Sequence, residues 1–178
     1  MPDLTPLEIT NTTRENAALC VYYYGRQACA PGHSWGPLVR DHFLIHYVVS
    51  GQGIFQVNGT TYSLRKGHGF LICPNVISFY QADAEDPWTY LWVGFHGLKA
   101  EIYLRRAGLA AQGPIFCYDK DDALADCMER MISTDRTTKG RDLRLSGLLH
   151  LFLSELIDLQ GVEPLEEKPD SGVERYIG

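Results

Sequence analysis

Hydrophobic and polar positions change their period along this chain. From Ala18 to about His96 the apolar residues fall in short runs closed by turn-forming residues. These are Leu19 to Tyr24 before Gly25, Phe43 to Val49 before Ser50-Gly51, Gly53 to Val57 and Thr60 to Leu64 around Asn58-Gly59, Gly69 to Cys73 before Pro74-Asn75, Val76 to Tyr80, and Trp88 to Phe95. Runs of this length, rich in β-branched and aromatic residues, predict strands. Asn58-Gly59 predicts a two-residue type I′ turn, whose twist matches that of the strands it joins. Ile54 and Gln56 share one parity in the run before it, and Phe55 and Val57 share the other. Six or more short strands, with no room for crossover helices, predict an antiparallel sandwich or barrel rather than a parallel α/β sheet.

After Gly97 the period becomes helical. Leu98, Ile102, Arg105 and Leu109 define one helix, closed by Gly108 and Gly113-Pro114, and Asp121 to Met131 a second. The third and strongest helical signal runs from about Lys139 to Leu159. Its Leu145, Leu149, Phe152, Leu156 and Leu159 recur in steps of four and three, the spacing of a pairing seam. Leu148, Leu151, Leu153 and Ile157 widen that stripe, so the helix is expected to be buried on more than one side. Two arrangements satisfy this: burial wholly within one small domain, or one side on the strands and the other on a second copy of the chain. The expected organisation is an arm over 1–17, a strand domain over 18–97, a helical dimerisation region over 98–160, and a polar linker with the start of a further unit over 161–178.

Composition narrows the function. A formal net charge of -6, with Arg105-Arg106 and Arg65-Lys66 as isolated pairs, lacks the basic cluster that nucleic acid requires. Five cysteines without a C-x-x-C pair suit a reducing compartment, and MPDLTPLEIT has no secretory pattern. No apolar run is long enough to span a bilayer, so the expected location is the cytoplasm, with no membrane partner.

Catalytic constellations are weak. His42 and His46 lie on one face of a strand but about 13 Å apart, too far to share an ion unaided. No Ser stands in a nucleophile elbow, and Gly67-His68-Gly69 precedes a strand rather than a phosphate-binding helix. No metal, cofactor or catalytic residue is expected. A pocket is better supported: Trp88, Tyr90 and Trp92 share a parity, and with Tyr80 they would line a cavity if that parity faces inward. Such rings stack on the C–H faces of sugars, with His46 and Gln56 as polar members, or else they form plain hydrophobic core.

The segments FLIHYVVSGQG from Phe43, YSLRKGHG from Tyr62, FLICPN from Phe70 and WTYLWVGFHG from Trp88, in that order, resemble the amino-terminal domain of the AraC/XylS family of bacterial transcription regulators. The resemblance runs from about Tyr22 to about Ile157 and is strongest to sugar-responsive members. It implies a cupin-like antiparallel β-barrel, a double-stranded β-helix, that binds a mono- or oligosaccharide effector. Helices after the barrel would pair two subunits into a homodimer. A helix-turn-helix domain, absent from this chain, would read DNA. The metal ligands of the fold's enzymes are not filled here, Ser78 lying near the place of the last. Tyr80 and Trp92 match sugar-contacting aromatics of the arabinose-sensing member, whereas Gly36 stands where that member has a sugar-binding arginine, which argues against arabinose itself. An arm at Leu4 to Ile9 would fold over bound sugar. A non-catalytic sensor is the expectation; a cupin-class metal-dependent enzyme and a dimerisation domain without a ligand are its rivals.

Overall fold

The computed structural model describes residues 17–160 and the backbone of residues 7–10. The described chain forms strands β1 (Leu7–Thr10), β2 (Cys20–Ala28), β3 (Ser34–Leu38), β4 (Phe43–Ser50), β5 (Gln52–Val57), β6 (Thr60–Arg65), β7 (His68–Ile72), β8 (Ser78–Ala82) and β9 (Thr89–His96). Helix α1 (Ala100–Arg106), strand β10 (Ile115–Cys117), and helices α2 (Ala123–Ile132) and α3 (Arg141–Leu159) follow. Two antiparallel sheets result, one in the order β1-β2-β9-β4-β7-β10 and the other β3-β8-β5-β6.

The six-stranded sheet is buried on both faces. Leu44, His46, Val48, Phe70, Ile72, Tyr90 and Trp92 meet Phe55, Val57, Leu64, Tyr80 and Ala82 of the four-stranded sheet. The opposite parity, Ile45, Tyr47, Leu91, Val93 and Phe95, packs under the three helices. Double burial explains why β9 reads as a continuous apolar run, since neither face needs polar residues. The four-stranded sheet keeps one wet face, and the alternation there is legible: Phe55 and Val57 point inward, Gln56 outward. Asn58 and Gly59 both take positive φ, 51° and 74°, as the type I′ turn requires.

Three elements depart from the sequence pattern. β2 continues through Gly25 to Ala28, because β1 and β9 pair with it on both sides there and hold it extended. β3 forms despite Gly36-Pro37, as an edge strand on β8 whose register shifts between Trp35 and Leu38. α1 stops at Arg106 rather than reaching Leu109. Gly108 turns to a φ of 72°, its N–H donating to Arg105 O and that of Leu109 to Leu104 O, which closes the last turn.

The pairing stripe expected on α3 lies inside this chain's own core. Leu145, Leu149, Phe152 and Leu156 are each 0 % exposed, and half-buried Leu159 packs against the same cluster. The physical reason is that α1, α2 and the six-stranded sheet surround α3 on three sides, leaving the heptad positions no free face. The apolar side chains that α3 does expose are Leu143 and Leu151, on either side of exposed Gly147. Within the lead-in, only the backbone of β1 is described. The rest of the expected arm and the expected linker over 161–178 lie outside the described residues. No helix of the described residues is long and apolar enough to cross a membrane.

Candidate functional site

Register brings the candidate side chains together. Across the six-stranded sheet, Gly25 faces Trp92, Trp92 faces His46, and His46 faces Phe70. Across the other sheet, Trp35 faces Tyr80, and Tyr80 faces Phe55. Neighbours across an antiparallel pair project to the same face, so the two rows oppose each other between the sheets. They enclose a cavity of about 150 Å³ lined by Tyr23, Gln27, Trp35, Arg40, Leu44, His46, Tyr80, Tyr90 and Trp92.

His46 is the centre of the site. It stacks on Phe70, with ring centroids 4.6 Å apart and planes 8° from parallel, and Tyr80 and Tyr90 approach to 4.7 and 4.8 Å. It is 2 % exposed, and its Nδ1 has no hydrogen-bond partner among the described residues. Burial, reinforced by the positive charge of Arg40, holds its pKa well below the usual 6.5. The ring is therefore neutral at physiological pH and offers one donor and one acceptor. An unpaired buried ring nitrogen costs about 1–3 kcal/mol, which a ligand hydroxyl would relieve.

The remaining polar groups fall into two hydrogen-bonded sets. Tyr90 donates to Gln27 Oε1 at 3.3 Å, and Gln27 Nε2 lies 3.4 Å from His33 Nε2. Tyr23 Oη lies 2.6 Å from His42 Nε2, whose Nδ1 is 2.9 Å from Asp41 Oδ1. Burial raises the Tyr80 and Tyr90 phenols above their ordinary range, so both remain protonated donors. Arg40, half-buried, lies against the Tyr80 hydroxyl and makes no ion pair among the described residues. The lining has no carboxylate. Its charge is that single guanidinium, whose planar fork suits adjacent hydroxyls or an anion.

Of the six sequence candidates, Tyr80, Tyr90, Trp92 and His46 line the cavity. Trp88 lies behind it, 1 % exposed, against Phe70 and Tyr90 and packed onto Gly53, where a Cβ would sit 2.5 Å from the indole. Gln56 is not in the cavity: its parity on β5 turns it to the outer face of the four-stranded sheet, into an open depression of about 680 Å³. A second open depression, about 630 Å³, is lined by Gln52, Ser63, Arg65, His68, Gln81 and Asp83 and carries no Phe, Tyr or Trp. The glutamine of the cavity is Gln27. Gly36 has no room for a side chain, since a Cβ would stand 2.4 Å from the Ser78 carbonyl oxygen, and the guanidinium that lines the cavity is that of Arg40, in the loop before β4.

Sequence reasoning missed Tyr23, Gln27, Trp35 and Arg40. Tyr23 and Gln27 are two members of the inward parity of β2, masked by an irregularity between Val21 and Tyr23 that shifts the alternation. Trp35 and Arg40 sit among exposed residues that read as loop. Among the described residues there is no group of three or more His, Cys, Asp or Glu placed to hold a metal ion.

Comparison with known proteins bears on these features. The family model described as the AraC-like ligand binding domain matches residues 21–153. The Msm operon regulatory protein of Streptococcus mutans is 34 % identical over 165 residues, covering 91 % of this chain and 58 % of that protein. The raffinose operon transcriptional regulatory protein RafR of Pediococcus pentosaceus is 37 % identical over 101 residues, covering 55 % of this chain and 35 % of that one. The chain thus spans little more than half the length of the first of these relatives. Among solved structures, YhaK of Escherichia coli superposes with a TM-score of 0.51 at 9 % identity, over 66 % of this chain and 53 % of that one, a likeness of fold alone.

Proposed function

The chain belongs to the AraC-like ligand binding domain family, and from that premise we propose that it is the effector-sensing and dimerising part of a cytoplasmic transcription regulator of a sugar operon, with a saccharide as its effector. Two relatives are named as operon regulators, one of them for raffinose. The reading is a sensor, not an enzyme. The single observation that carries it is the aromatic cavity between the sheets, where a neutral, buried His46 holds an unpartnered Nδ1 beside Arg40. Rings that present flat apolar faces with polar atoms at their edges match a sugar, which has C–H faces and a rim of hydroxyls.

In this reading the two sheets form a cupin-like barrel whose mouth admits the effector, and the full regulator reaches DNA through a helix-turn-helix domain beyond this chain. β2 connects the site to the helices. Its Tyr23 and Gln27 line the cavity, while Arg26 pairs with Glu129 of α2 at 2.9 Å and the Tyr24 hydroxyl accepts from Arg141 of α3 at 2.9 Å. Occupancy that shifts β2 therefore changes how α2 and α3 are held, and β1 rides on the same strand. Two copies meet through the outer face of α3, at Leu143, Gly147 and Leu151.

Calorimetric titration with mono-, di- and trisaccharides tests the proposal. Saturable heat with at least one member, weakened about tenfold or more by Arg40→Gln, is expected. Absence of heat with every member over a range of temperatures would overturn it.

A further inference from the structure

Resting on the saccharide reading of the cavity, we propose that the effector is an oligosaccharide, with one ring inside the cavity and the next stacked on the outward face of Trp35. The cavity is the first reason. About 150 Å³ is half or less of the 300–1,000 Å³ typical of sites that enclose drug-sized ligands, so it suits one ring and not two. A longer ligand must leave through the mouth.

Trp35 stands at that mouth. Tyr80, Tyr90 and Trp92 are at most 5 % exposed, whereas Trp35, which lines the same cavity, is 38 % exposed. Its orientation is fixed from several sides. Register with Tyr80 aims it toward the cavity, His33 packs against it in a T-shaped pair with centroids 5.8 Å apart and planes at 80°, and its indole N–H is turned toward the Tyr90 hydroxyl. The ring therefore bridges inside and outside, and little conformational freedom is lost when a ligand stacks on it. Leu38 and Val39, 41 % and 54 % exposed, extend the apolar rim toward Arg40. An apolar rim that continues an aromatic cavity, beside a guanidinium able to hold adjacent hydroxyls, suits the next ring of the same ligand.

The experiment is calorimetric titration with a nested series: galactose, the galactosyl disaccharide melibiose, and the trisaccharide raffinose, which extends melibiose. Wild type, Trp35→Ala and Trp35→Phe are compared, with thermal melts to verify folding. The wild type is expected to bind the two longer sugars at least about tenfold more tightly than galactose, as one stacked ring would provide. Trp35→Ala should weaken melibiose and raffinose at least about tenfold more than it weakens galactose, while Trp35→Phe, which keeps a stacking face, retains most of the advantage of the longer sugars. Equal affinity for all three sugars, galactose binding alone, or an equal loss for short and long sugars in Trp35→Ala would overturn the oligosaccharide inference and leave the cavity reading standing. No saturable binding by any of the three would overturn the oligosaccharide inference, and absence of heat with every sugar of the wider panel would overturn both.

Discussion

His46 and Phe70 are register partners on β4 and β7, and their rings stack 4.6 Å apart and 8° from parallel, which places an imidazole where a hydrophobic core would carry a phenyl ring. The position is costly for a charge. Burial and the nearby Arg40 keep the folded pKa well below 6.5, so below pH 6.5 the unfolded chain binds a proton that the folded chain does not. By linkage, stability falls as pH drops through 6.5 and goes on falling toward the folded pKa. Lowering the pH from 7.5 to 5.5 should therefore reduce the free energy of unfolding through this group. Urea unfolding at the two pH values measures it. The window lies above that of Asp83, Asp121 and Asp135, whose carboxyls are held below 3.8 by hydrogen bonds and whose stabilisation is lost only at more acid pH.

His46→Phe separates stability from recognition. It keeps the stack and removes an unsatisfied nitrogen, so the fold should be as stable as the wild type at pH 7.5, and the loss between pH 7.5 and 5.5 should shrink. Saccharide affinity should nevertheless fall about tenfold or more, because the neutral donor and acceptor are gone. A variant that binds as well as wild type would remove His46 from the site.

Arg40 is the complementary probe, since it is half-buried in a loop and makes no ion pair among the described residues. Arg40→Gln should move the thermal midpoint by no more than the shift that about 0.5 kcal/mol produces, yet weaken binding as strongly as His46→Phe does. Matched thermal melts and titrations decide this; a large loss of stability would make Arg40 a structural residue.

Much of this was legible in the sequence, and what was not has identifiable causes. The β5-β6 hairpin could be read from Asn58-Gly59 because turn chemistry is local, and the inward parity of Phe55 could be read because the opposite face is wet. Trp88, Tyr90 and Trp92 share a parity that does face the second sheet, but parity alone could not tell Trp88, sealed behind the cavity, from Trp92 in its wall. Gln56 has the chemistry of a site residue, but its parity opposes that of Phe55 and turns it to the outer face. Arg40 carried no signal, since a loop residue is brought to a site only by the tertiary path of the chain. The α3 heptad marks a buried stripe, but periodicity does not say whose surface buries it.

Gly53 and Gly69 show how closely the rings are packed. A Cβ on Gly53 would stand 2.5 Å from the Trp88 indole, and one on Gly69 would collide with the Phe116 ring. Neither clash can be relieved without moving an aromatic core residue, so Gly53→Ala and Gly69→Ala should each cost about 1–3 kcal/mol in urea unfolding. Gly59→Ala meets nothing within 4 Å, but a φ of 74° strains it, and it should cost about 1 kcal/mol. Gly53→Ala should also weaken saccharide binding, because Trp88 supports Tyr90 at 5.8 Å, whereas Gly59→Ala should leave binding unchanged.

The outer and inner faces of α3 should fail in different ways. Leu149 and Phe152 are 0 % exposed within one chain, so Leu149→Asp or Phe152→Asp places a charge in the core and should unfold the protein rather than split a dimer. Leu143 and Leu151, 75 % and 52 % exposed, contribute little to the fold of one copy. If two copies meet there, Leu143→Asp with Leu151→Asp puts like charges on both sides of the two-fold interface. The double variant should sediment as a monomer at concentrations where the wild type sediments as a dimer, with its far-ultraviolet circular dichroism unchanged. A variant that stays dimeric would move the pairing surface off this face of α3. An unfolded variant would mean that these leucines serve the core after all, and Gly147→Arg, at an exposed position where a Cβ meets nothing within 4 Å, would then test the same face at a lower folding cost.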